Sequence, residues 1–584
     1  MEQAYVLFDD AREGGAAGRL YRDPIGQIVA WRLDAVRPAL ARLRKAVQGG
    51  KHAAGFIAYE AGQALDPALT AGARVGEGPL LWFGLFDRFE PVGAVPLADP
   101  AGAFAGPIHP RIERSDYLAA ASEVREALLA GDYYQANLTF GCDVAVGGSP
   151  LALFARLRAG SRAGWGGVVC HPTGGLVSLS PEQFFTLKAG RLNARPMKGT
   201  APRAVNRAED RALADELAAD SKQRAENLMI VDLLRNDLAR VAETGSVTVP
   251  QLFTVESYPT VHQMVSEVVA TLSTGLDAID VIETIFPCGS VTGAPKVAAI
   301  QALRRLEPEP RGAYTGSMGW IEPPTVDGPG DAAFNVLIRT LEVRDDRSGL
   351  ARLGLGSGLV MDSEMPQEWA ECLLKGEFLN AARPQFDLIE TMRFDDEQGI
   401  IELDRHLDRL GRGAATFGFK FDRHGARNEL QAATFRRKER AMVRLLLSPT
   451  GAMAIQVKRM ERPAEGPVLV TLAPMPVAAD DIRRKFKTSD RRFYDEARRG
   501  NDTFETIFFD PDGHLTEGSF TNIFVERDGR LHTPPVSRGL IPGILRAKLL
   551  DEGRAEEAEL LPGDLADGFF VGNILRGLMR AKLA

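Results

Sequence analysis

The series of secondary-structure elements predicted from this sequence is interrupted at Ala382-Arg383-Pro384. Beyond this point the pattern restarts with a strand over 387–394, which is followed by a helix over 403–417. The chain has 584 residues, whereas a single hydrophobic core stops growing at roughly 250–300 residues. We therefore expect two domains, one over 1–380 and one over 385–584.

A segment rich in Pro, Gly and Ala subdivides the first domain. It covers 94–112 and predicts a connection between an N-terminal segment, 1–105, and a core, 110–380. Ser115 is predicted to cap the helix that follows the connection, and Gly131 is predicted to end that helix. We expect a strand to come next.

Hydrophobic periodicity predicts further elements of the first domain. Pro366 begins a predicted helix over 366–379, the alternating run over 333–343 predicts a strand, and 323–330 is predicted to be a surface loop. A helical period over 221–241 indicates one core-facing stripe, formed by Leu228, Val231, Leu234, Leu238 and Val241.

Composition limits the class of partner. A formal net charge of -8 gives no general attraction to nucleic-acid phosphates or anionic lipid. No apolar run approaches the roughly 20 residues that span a bilayer, and the first residues lack the regions of a signal peptide. The 4 cysteines have no C-x-x-C spacing, which predicts buried free thiols. We expect a cytoplasmic protein that acts on small molecules.

Three glutamates on two predicted helices could hold a hard cation. Glu368 and Glu371 lie three residues apart and so share a helix face, and Glu226 lies on an earlier helix. Ligands that are all oxygen atoms favour Mg²⁺. Taken alone, such acidic pairs are more often solvated surface residues.

Ordered motifs over residues 110–380 resemble those of chorismate-utilising enzymes, and specifically the aminodeoxychorismate synthase component I group. So many motifs in the family's order make a chance match very improbable. The motifs are GDYYQANL from Gly131, SPE from Ser180, PMKGT from Pro196, AEN from Ala225, RND from Arg235, GSVTGAPK from Gly289, IRT from Ile338 and GSG from Gly356.

The resemblance implies a site for each part of the reaction. Glu226 and Glu371 would bind Mg²⁺ with support from Glu368, and the ion would hold the ring carboxylate of chorismate. Glu182 would act as the general acid that helps a ring hydroxyl to leave, a role that needs a protonated carboxyl group. Further substrate-binding residues implied by the resemblance are Gln135, Thr292, Gly293, Arg339, Gly356, Gly358 and Lys375.

Two positions separate the subgroups of this family. Lys198 stands where anthranilate synthases have a small residue, and the resemblance implies that it attacks the ring as a nucleophile before ammonia enters para to the carboxylate. Gln135 stands where isochorismate and salicylate synthases have a lysine base, and glutamine cannot activate water. An anthranilate synthase with an accessory domain is the alternative interpretation.

The source of ammonia is expected to be another protein. None of the cysteines has the Gly-x-Cys-x-Gly surroundings of an amidotransferase nucleophile. We therefore expect ammonia from a separate glutamine amidotransferase subunit or from solution.

Residues 386–584 resemble class IV, fold-type IV aminotransferases and aminodeoxychorismate lyases, which use pyridoxal phosphate (PLP). The motifs are HLDRL from His406, FKT from Phe486, LTEGS from Leu515, TNIF from Thr521 and GLIPGILR from Gly539. The resemblance implies Lys487 as the Schiff-base lysine and Glu517 as the partner of the pyridinium nitrogen. It further implies a cofactor site completed by Arg409, Asn522, Gly543, Ile544 and Leu545, and substrate contacts from Asn573 and Arg576.

Together the two halves predict synthesis of 4-aminobenzoate for folate. The expected fold is α/β with large antiparallel sheets and flanking helices, followed by an α+β PLP domain that forms a homodimer. The second half is shorter than its relatives. An aminotransferase, or a domain that only binds or dimerises, is therefore the alternative for this half.

Overall fold

A computed structural model describes residues 4–92, 98–258, 261–326, 328–344, 348–460, 466–499 and 502–584. The chain forms two compact units. The second unit contains Ala382–Ala584 together with two earlier stretches, Ala98–Pro107 and Ala145–Leu153, and the first unit contains the remaining residues. The sequence had placed both earlier stretches in the first domain. Residues 94–97 of the predicted connection lie outside the described residues.

Two ten-stranded sheets form the described framework of the first unit. Antiparallel pairing dominates both, as where Gly55 lies opposite Phe83 and Val177 lies opposite Val168. In spatial order, one sheet contains Gly293–Ala294, Gln135–Gly147, Leu350–Leu359, Thr340–Arg344, Gly174–Ser180, Trp165–His171, Tyr5–Asp9, Gly18–Arg22 and Glu90–Val92, with Phe104–Pro110 beside Gln135–Gly147. The other contains Met197–Pro202, Val261–Thr271, Arg191–Ala194, Gln183–Lys188, Ala332–Asn335, Ser317–Ile321, His52–Ile57, Leu81–Phe86 and Gly26–Ala30, with Thr248–Ser257 beside Val261–Thr271.

Several helices of the first unit bury apolar side chains in its core. In Ser221–Ala239, Ile230, Val231, Leu234 and Leu238 join that core. Leu228 was predicted to join them but is 42% exposed, because the buried stripe runs through Ile230 instead. The helices with most or all of their residues in the first unit are Leu33–Gln48, Gly62–Leu65, Pro67–Thr70, Arg114–Ala130, Pro150–Ser161, Arg207–Ala219, Ser221–Ala239, Ala278–Ile285, Lys296–Leu306 and Met365–Lys375.

Two helix predictions need correction at their ends. Glu113 precedes the first turn of Arg114–Ala130, so Ser115 lies inside the helix rather than at its cap. The left-handed Gly131 ends that helix as predicted, with a φ of 82°. The helix predicted over 366–379 is Met365–Lys375, after which the chain continues as a 3₁₀ segment, Glu377–Ala382.

The single strand predicted over 333–343 is two strands in different sheets. Ala332–Asn335 pairs within one sheet and Thr340–Arg344 within the other. Arg339 lies between them with a φ of 49°, a conformation that few non-glycine residues adopt. The alternation of apolar and polar residues in the sequence does not reveal such a break. In the predicted loop over 323–330, residue 327 lies outside the described part.

The second unit combines a four-stranded and an eight-stranded sheet in its described residues. In spatial order the smaller sheet contains Gly399–Ile400, Leu388–Asp395, Ala441–Leu447 and Met453–Arg459. The larger mixes parallel and antiparallel pairs and contains Leu515–Gly518, Glu505–Phe509, Val468–Pro474, Gly577–Leu583, Phe569–Asn573, Asn522–Arg527, Arg530–Thr533 and Ala555–Glu557. The helices are Leu403–Phe417, Arg423–Thr434, Ile482–Lys485, Arg492–Arg498 and Ile544–Asp551.

One of the early stretches is part of the core of the second unit. Phe104 packs against Phe417 with ring centroids 4.6 Å apart, in the cluster that also contains Leu388 and Ile482. In the same stretch, Asp99 accepts a hydrogen bond of 2.7 Å from Arg483. The second unit is therefore built from more of the chain than its 385–584 portion.

Two expectations from composition can be compared with the structure. Cys142, Cys170, Cys288 and Cys372 are free and buried, as predicted. In the described ranges no helix combines the length and apolar character needed to cross a bilayer.

Candidate active sites

Lys198 is the point at which several predicted residues of the first unit meet. It lies on the strand Met197–Pro202, and its Nζ is 3.2 Å from Oε2 of Glu226 on the helix Ser221–Ala239. The next residue on that helix, Asn227, donates a hydrogen bond of 3.3 Å to the Lys198 carbonyl. The helix therefore holds both the backbone and the amine of this lysine.

Gly358 leaves the space that Gln135 and Lys198 occupy. A Cβ atom on Gly358 would lie 3.0 Å from Nε2 of Gln135 and 3.3 Å from Nζ of Lys198. Gln135 is 1% exposed, and its Oε1 is a buried acceptor without a partner among the described residues. Because such an atom is costly to leave unpaired, it favours a hydrogen-bond donor bound beside Lys198.

Glu182 is a buried carboxyl group suited to donating a proton. Burial raises its pKa to about 7, although a hydrogen bond from Ser290 and the charge of Lys198 both lower it. The Ser290 hydroxyl donates to Oε1 of Glu182 over 2.6 Å. A fraction of this group is therefore protonated near neutral pH.

The glutamates predicted to bind metal are joined by lysines. Lys375 lies 2.8 Å from Glu371, and burial would raise the pKa of Glu371, but Lys375 and Lys198 hold it below its usual value. Among the described residues there is no group of three or more His, Cys, Asp and Glu side chains that could hold a metal ion. Glu226 and Glu371 thus both face Lys198. Glu368 is linked to this group only because it lies on the same helix as Glu371.

The donor set of Glu226 and Glu371 nevertheless fits Mg²⁺. Both are oxygen ligands, and Mg²⁺ is usually held by one or two carboxylates together with water and substrate. Lys198 and Lys375 lie next to these carboxylates. Their positions show where a cation is favoured.

Arg339 is a partly buried cation for which the described residues provide no partner. Among the described residues its guanidinium makes no hydrogen bond or ion pair, and burial lowers its pKa. A buried charge of this kind is costly unless an opposite charge joins it. An anionic ligand would supply that charge.

The other predicted substrate residues shape the backbone. Thr292 is fully buried and donates to the carbonyls of Cys288 and Gly289. A Cβ atom added to Gly293 would lie 2.3 Å from the carbonyl oxygen of Gln135, and one added to Gly356 would lie 2.6 Å from the carbonyl oxygen of Leu138. Lys375 donates to the Gly356 carbonyl over 2.9 Å.

In the second unit, Lys487 has an amine that is free to react. Its Nζ has no hydrogen-bond or ion-pair partner among the described residues, and burial lowers its pKa to about 7. Arg409 lowers this pKa further, Glu390 opposes it, and Arg491 and Arg444 add to the lowering. An amine must be neutral to form a Schiff base, so this environment suits the predicted role.

Glu517 is a buried carboxyl group held by two donors. The Tyr494 hydroxyl donates to Oε1 over 2.5 Å, and the Ile541 amide donates to Oε2 over 3.0 Å. Burial raises the pKa of Glu517 to about 8, although Tyr494 and Ile541 lower it. Such a group can share a proton with a bound pyridine nitrogen.

Arg409 is oriented by a carboxylate that the sequence did not single out. Its Nε and Nη2 donate to Glu390 over 2.8 and 2.7 Å, and its Nη1 donates to the Pro542 carbonyl over 3.0 Å. A guanidinium has five N–H groups. Two of them have no partner among the described residues and are left for a phosphate.

Gly543 and the helix that follows it provide backbone donors. Gly543 precedes the first turn of Ile544–Asp551, and the first amides of a helix lack intrahelical partners and attract anions. A Cβ atom on Gly543 would lie 1.9 Å from Oδ1 of Asn522. The amides of Ile544 and Leu545 are in this first turn, and the Leu545 side chain packs against apolar neighbours.

Asn573 and Arg576 are linked to each other. Asn573 donates to the Phe520 carbonyl over 3.1 Å and accepts from the Arg576 amide over 3.0 Å. The exposed Arg576 guanidinium lies 5.4 Å from the Phe520 ring centroid. Asn573 thus fixes a loop, and Arg576 is the one of the two whose charge is open to a ligand.

Two protein families match successive parts of this chain. Residues 3–381 match the chorismate binding enzyme family, and residues 387–584 match the amino-transferase class IV family. The chain belongs to the chorismate binding enzyme family. It carries a class IV amino-transferase domain after its chorismate-binding part.

Relatives of this chorismate binding enzyme support the assignment. Over 260 residues the chain is 40% identical to the aminodeoxychorismate synthase component 1 of Klebsiella aerogenes, covering 44% of this chain and 56% of that protein. The anthranilate synthase component 1 of Methanothermobacter thermautotrophicus is 34% identical over 259 residues, covering 44% and 54%. The chain thus spans about half the length of these relatives.

A solved structure has the same fold as the first unit. The anthranilate synthase component I of Streptococcus pneumoniae aligns with a TM-score of 0.54 at 22% identity, over 63% of this chain and 93% of that one. The expected fold classes, with large antiparallel sheets in the chorismate-binding part, are confirmed.

Several residues at these sites were not singled out from the sequence of this chorismate binding enzyme. Ser290 stands in a quoted motif, so its contact with Glu182 could have been sought there. Glu390 occupies a core-facing position between Leu388 and Met392, where a charged residue is unusual. Tyr494 and Arg444 carried no such signal.

Proposed function

We propose that the chain makes 4-aminobenzoate from chorismate in two steps, amination in the first unit and pyruvate elimination in the second. The observation that carries the proposal is the position of Lys198, whose amine lies beside Glu226, Gln135 and Gly358. A lysine at this point distinguishes amination para to the carboxylate from the ortho amination of anthranilate synthases.

In the first step Lys198 and Glu182 act on the ring together. The Lys198 amine forms a bond to the ring while the ring hydroxyl takes a proton from Glu182 and leaves as water. Ammonia then bonds to the carbon para to the carboxylate, and the Lys198 amine leaves. The pKa of about 7 for Glu182 keeps part of this acid protonated at neutral pH.

Charged groups around Lys198 suit a substrate with two carboxylates. Glu226 and Glu371 would hold Mg²⁺, with Glu368 as a further ligand, and the ion would neutralise one substrate carboxylate. Arg339, which has no partner among the residues that the structure describes, is suited to bind the other carboxylate. Gln135 Oε1 is an acceptor suited to ammonia or to a substrate hydroxyl.

The reaction also needs partners. Ammonia would come from a separate glutamine amidotransferase, as the name component 1 of its relatives suggests. The second unit would form a homodimer, as the fold-type IV resemblance implies.

In the second step the residues around Lys487 would hold PLP. Arg409 and the amides of Gly543, Ile544 and Leu545 would bind its phosphate, Glu517 would serve as the partner of its nitrogen, and Asn522 lies against Gly543. When bound, the cofactor supplies an electron sink. Lys487 takes a proton from the ring and delivers it to the departing side chain, which leaves as pyruvate as the ring becomes aromatic.

Product identity tests the proposal. Purified protein is incubated with chorismate, ammonium, Mg²⁺ and PLP, and the aromatic product is identified by chromatography and mass. The proposal predicts 4-aminobenzoate and pyruvate. An ortho product would instead identify an anthranilate synthase, and aminodeoxychorismate that accumulates would show that the second unit is not a lyase.

A further inference from the structure

Glu390 is a fully enclosed charge in the second unit with no role in the reaction described above. It lies on the strand Leu388–Asp395 and is 2% exposed. Its neighbours on the same face, Leu388 and Met392, belong to the apolar core. A charge at such a position is costly unless it is paired and hydrogen-bonded.

The pairing of Glu390 is complete on both oxygens. Oε1 accepts from Nε of Arg409, and Oε2 accepts from Nη2 of Arg409 and from Nδ1 of His406, the latter over 2.6 Å. Burial alone would raise the pKa of Glu390, but Arg409 and His406 hold it well below its usual range. Glu390 is therefore an anion at neutral pH.

The same carboxylate belongs to the electrostatic surroundings of Lys487. Arg409, Arg491 and Arg444 are cations that destabilise the Lys487 ammonium, and Glu390 is the anion that opposes them. The charged and titratable groups that face this lysine come from three described elements and one cap: Glu390 on Leu388–Asp395, His406 and Arg409 on Leu403–Phe417, Arg444 on Ala441–Leu447, and Arg491 before Arg492–Arg498.

We infer that Glu390 is a positioning residue for the cofactor site: it fixes the Arg409 guanidinium for a phosphate group and offsets the cations around Lys487. The bidentate pair fixes the plane of the guanidinium, and two N–H groups remain for the ligand. The inference rests on the proposed binding of PLP. It goes beyond that proposal by naming the residue that links the phosphate contact to the reactive amine.

The test uses full-length protein freed of cofactor. The rate at which it captures PLP is followed by absorbance between pH 5 and 9, and the affinity for PLP is measured at one pH. Capture requires neutral Lys487, so its rate rises as pH passes the pKa of this amine. In Glu390→Gln the ammonium loses its anion, and we expect the midpoint to fall by about 1 pH unit and the affinity to fall roughly tenfold.

Three variants separate charge from packing. His406→Gln keeps a hydrogen-bond donor to Glu390 and leaves the negative charge of Glu390 in place. The midpoint of this variant should therefore match that of the unmutated protein. Glu390→Asp keeps the charge at a shorter reach, so the affinity should fall while the midpoint stays. Glu402→Gln removes a partly exposed glutamate that is paired with Lys548 and should change neither quantity.

The outcomes distinguish this inference from the proposal on which it rests. If the unmutated protein captures no PLP, the proposed cofactor is wrong and the inference fails with it. If the unmutated protein captures PLP and Glu390→Gln has the midpoint and affinity of His406→Gln, Glu390 only fills space and the inference is overturned. Should Glu390→Gln fail to fold, a midpoint lowered in Glu390→Asp would overturn the inference in the same way.

Discussion

Nζ of Lys198 lies 3.2 Å from Oε2 of Glu226, so the proposed nucleophile is an ion-pair partner of a proposed metal ligand. The contact joins a strand of one sheet to the helix Ser221–Ala239. Each side chain has its charge balanced by the other without substrate. Changes at Glu226 are therefore expected to alter both the metal and the lysine.

Replacing Glu226 by glutamine is expected to weaken Mg²⁺ binding and so raise the Mg²⁺ concentration that amination requires. Loss of one of two carboxylates should raise the Mg²⁺ concentration at half-maximal rate by at least about tenfold. The measurement is the rate of aminodeoxychorismate formation against Mg²⁺ concentration. Glu216→Gln, at an exposed position on the preceding helix, is the control. An unchanged Mg²⁺ curve in Glu226→Gln would remove Glu226 from the metal site.

Ser290 is expected to set the upper pH limit of amination. Glu182 must be protonated, so the rate should fall as pH rises through its pKa of about 7. The Ser290 hydrogen bond lowers this pKa, and Ser290→Ala should move the falling limb upward by roughly 1 pH unit. Ser115→Ala, at an exposed position of the helix Arg114–Ala130, should leave the profile in place. A limb that moves downward in Ser290→Ala would contradict the role of Glu182 as the acid.

Tyr494→Phe is expected to weaken PLP binding. The variant removes the 2.5 Å hydrogen bond to Glu517 and with it a contribution that lowers the Glu517 pKa. A less ionised Glu517 pairs less well with the cofactor nitrogen, and the affinity should fall roughly tenfold. Absorbance titration with PLP gives the value. Equal affinity in Tyr494→Phe and the unmutated protein would show that this contact does not serve the cofactor.

Gly543→Ala is expected to distort the proposed PLP site and so reduce the retention of PLP. The new Cβ would lie 1.9 Å from Oδ1 of Asn522, and displacing that side chain should cost about 1–3 kcal/mol. Gly563→Ala is the matched control, since a Cβ there meets no atom within 4 Å. Retention of PLP during gel filtration is the measurement. Similar retention in both variants would show that the loop adjusts freely.

Some elements could be predicted well from local pattern. The helix Leu403–Phe417 has the predicted limits, because Leu407, Leu410, Ala414 and Phe417 form one buried stripe and a left-handed Gly418 follows it. The pattern of alternation over 333–343 failed, because a short turn containing Arg339 sends the chain into another sheet. Alternation reports burial, and it carries no information about which strand is the neighbour.

The candidate sites were predictable as sets of residues but not as contacts. The motifs supplied Lys198, Glu182, Lys487 and Glu517, whereas the ion pair of Lys198 with Glu226 depends on how a helix packs on a sheet. Glu390 was missed because a single charge in a strand reveals its partners only after Arg409 and His406 are folded against it. Which group of the site a lysine or arginine faces is a property of tertiary structure.

The most direct test of the account compares Lys198→Ala and Lys487→Ala with chorismate and with aminodeoxychorismate as substrates. We predict that Lys487→Ala converts chorismate to aminodeoxychorismate and stops there. Lys198→Ala should leave chorismate unchanged but convert added aminodeoxychorismate to 4-aminobenzoate and pyruvate. If Lys198→Ala still aminates chorismate, or Lys487→Ala still forms 4-aminobenzoate, the proposed division of the reaction between the two lysines is wrong.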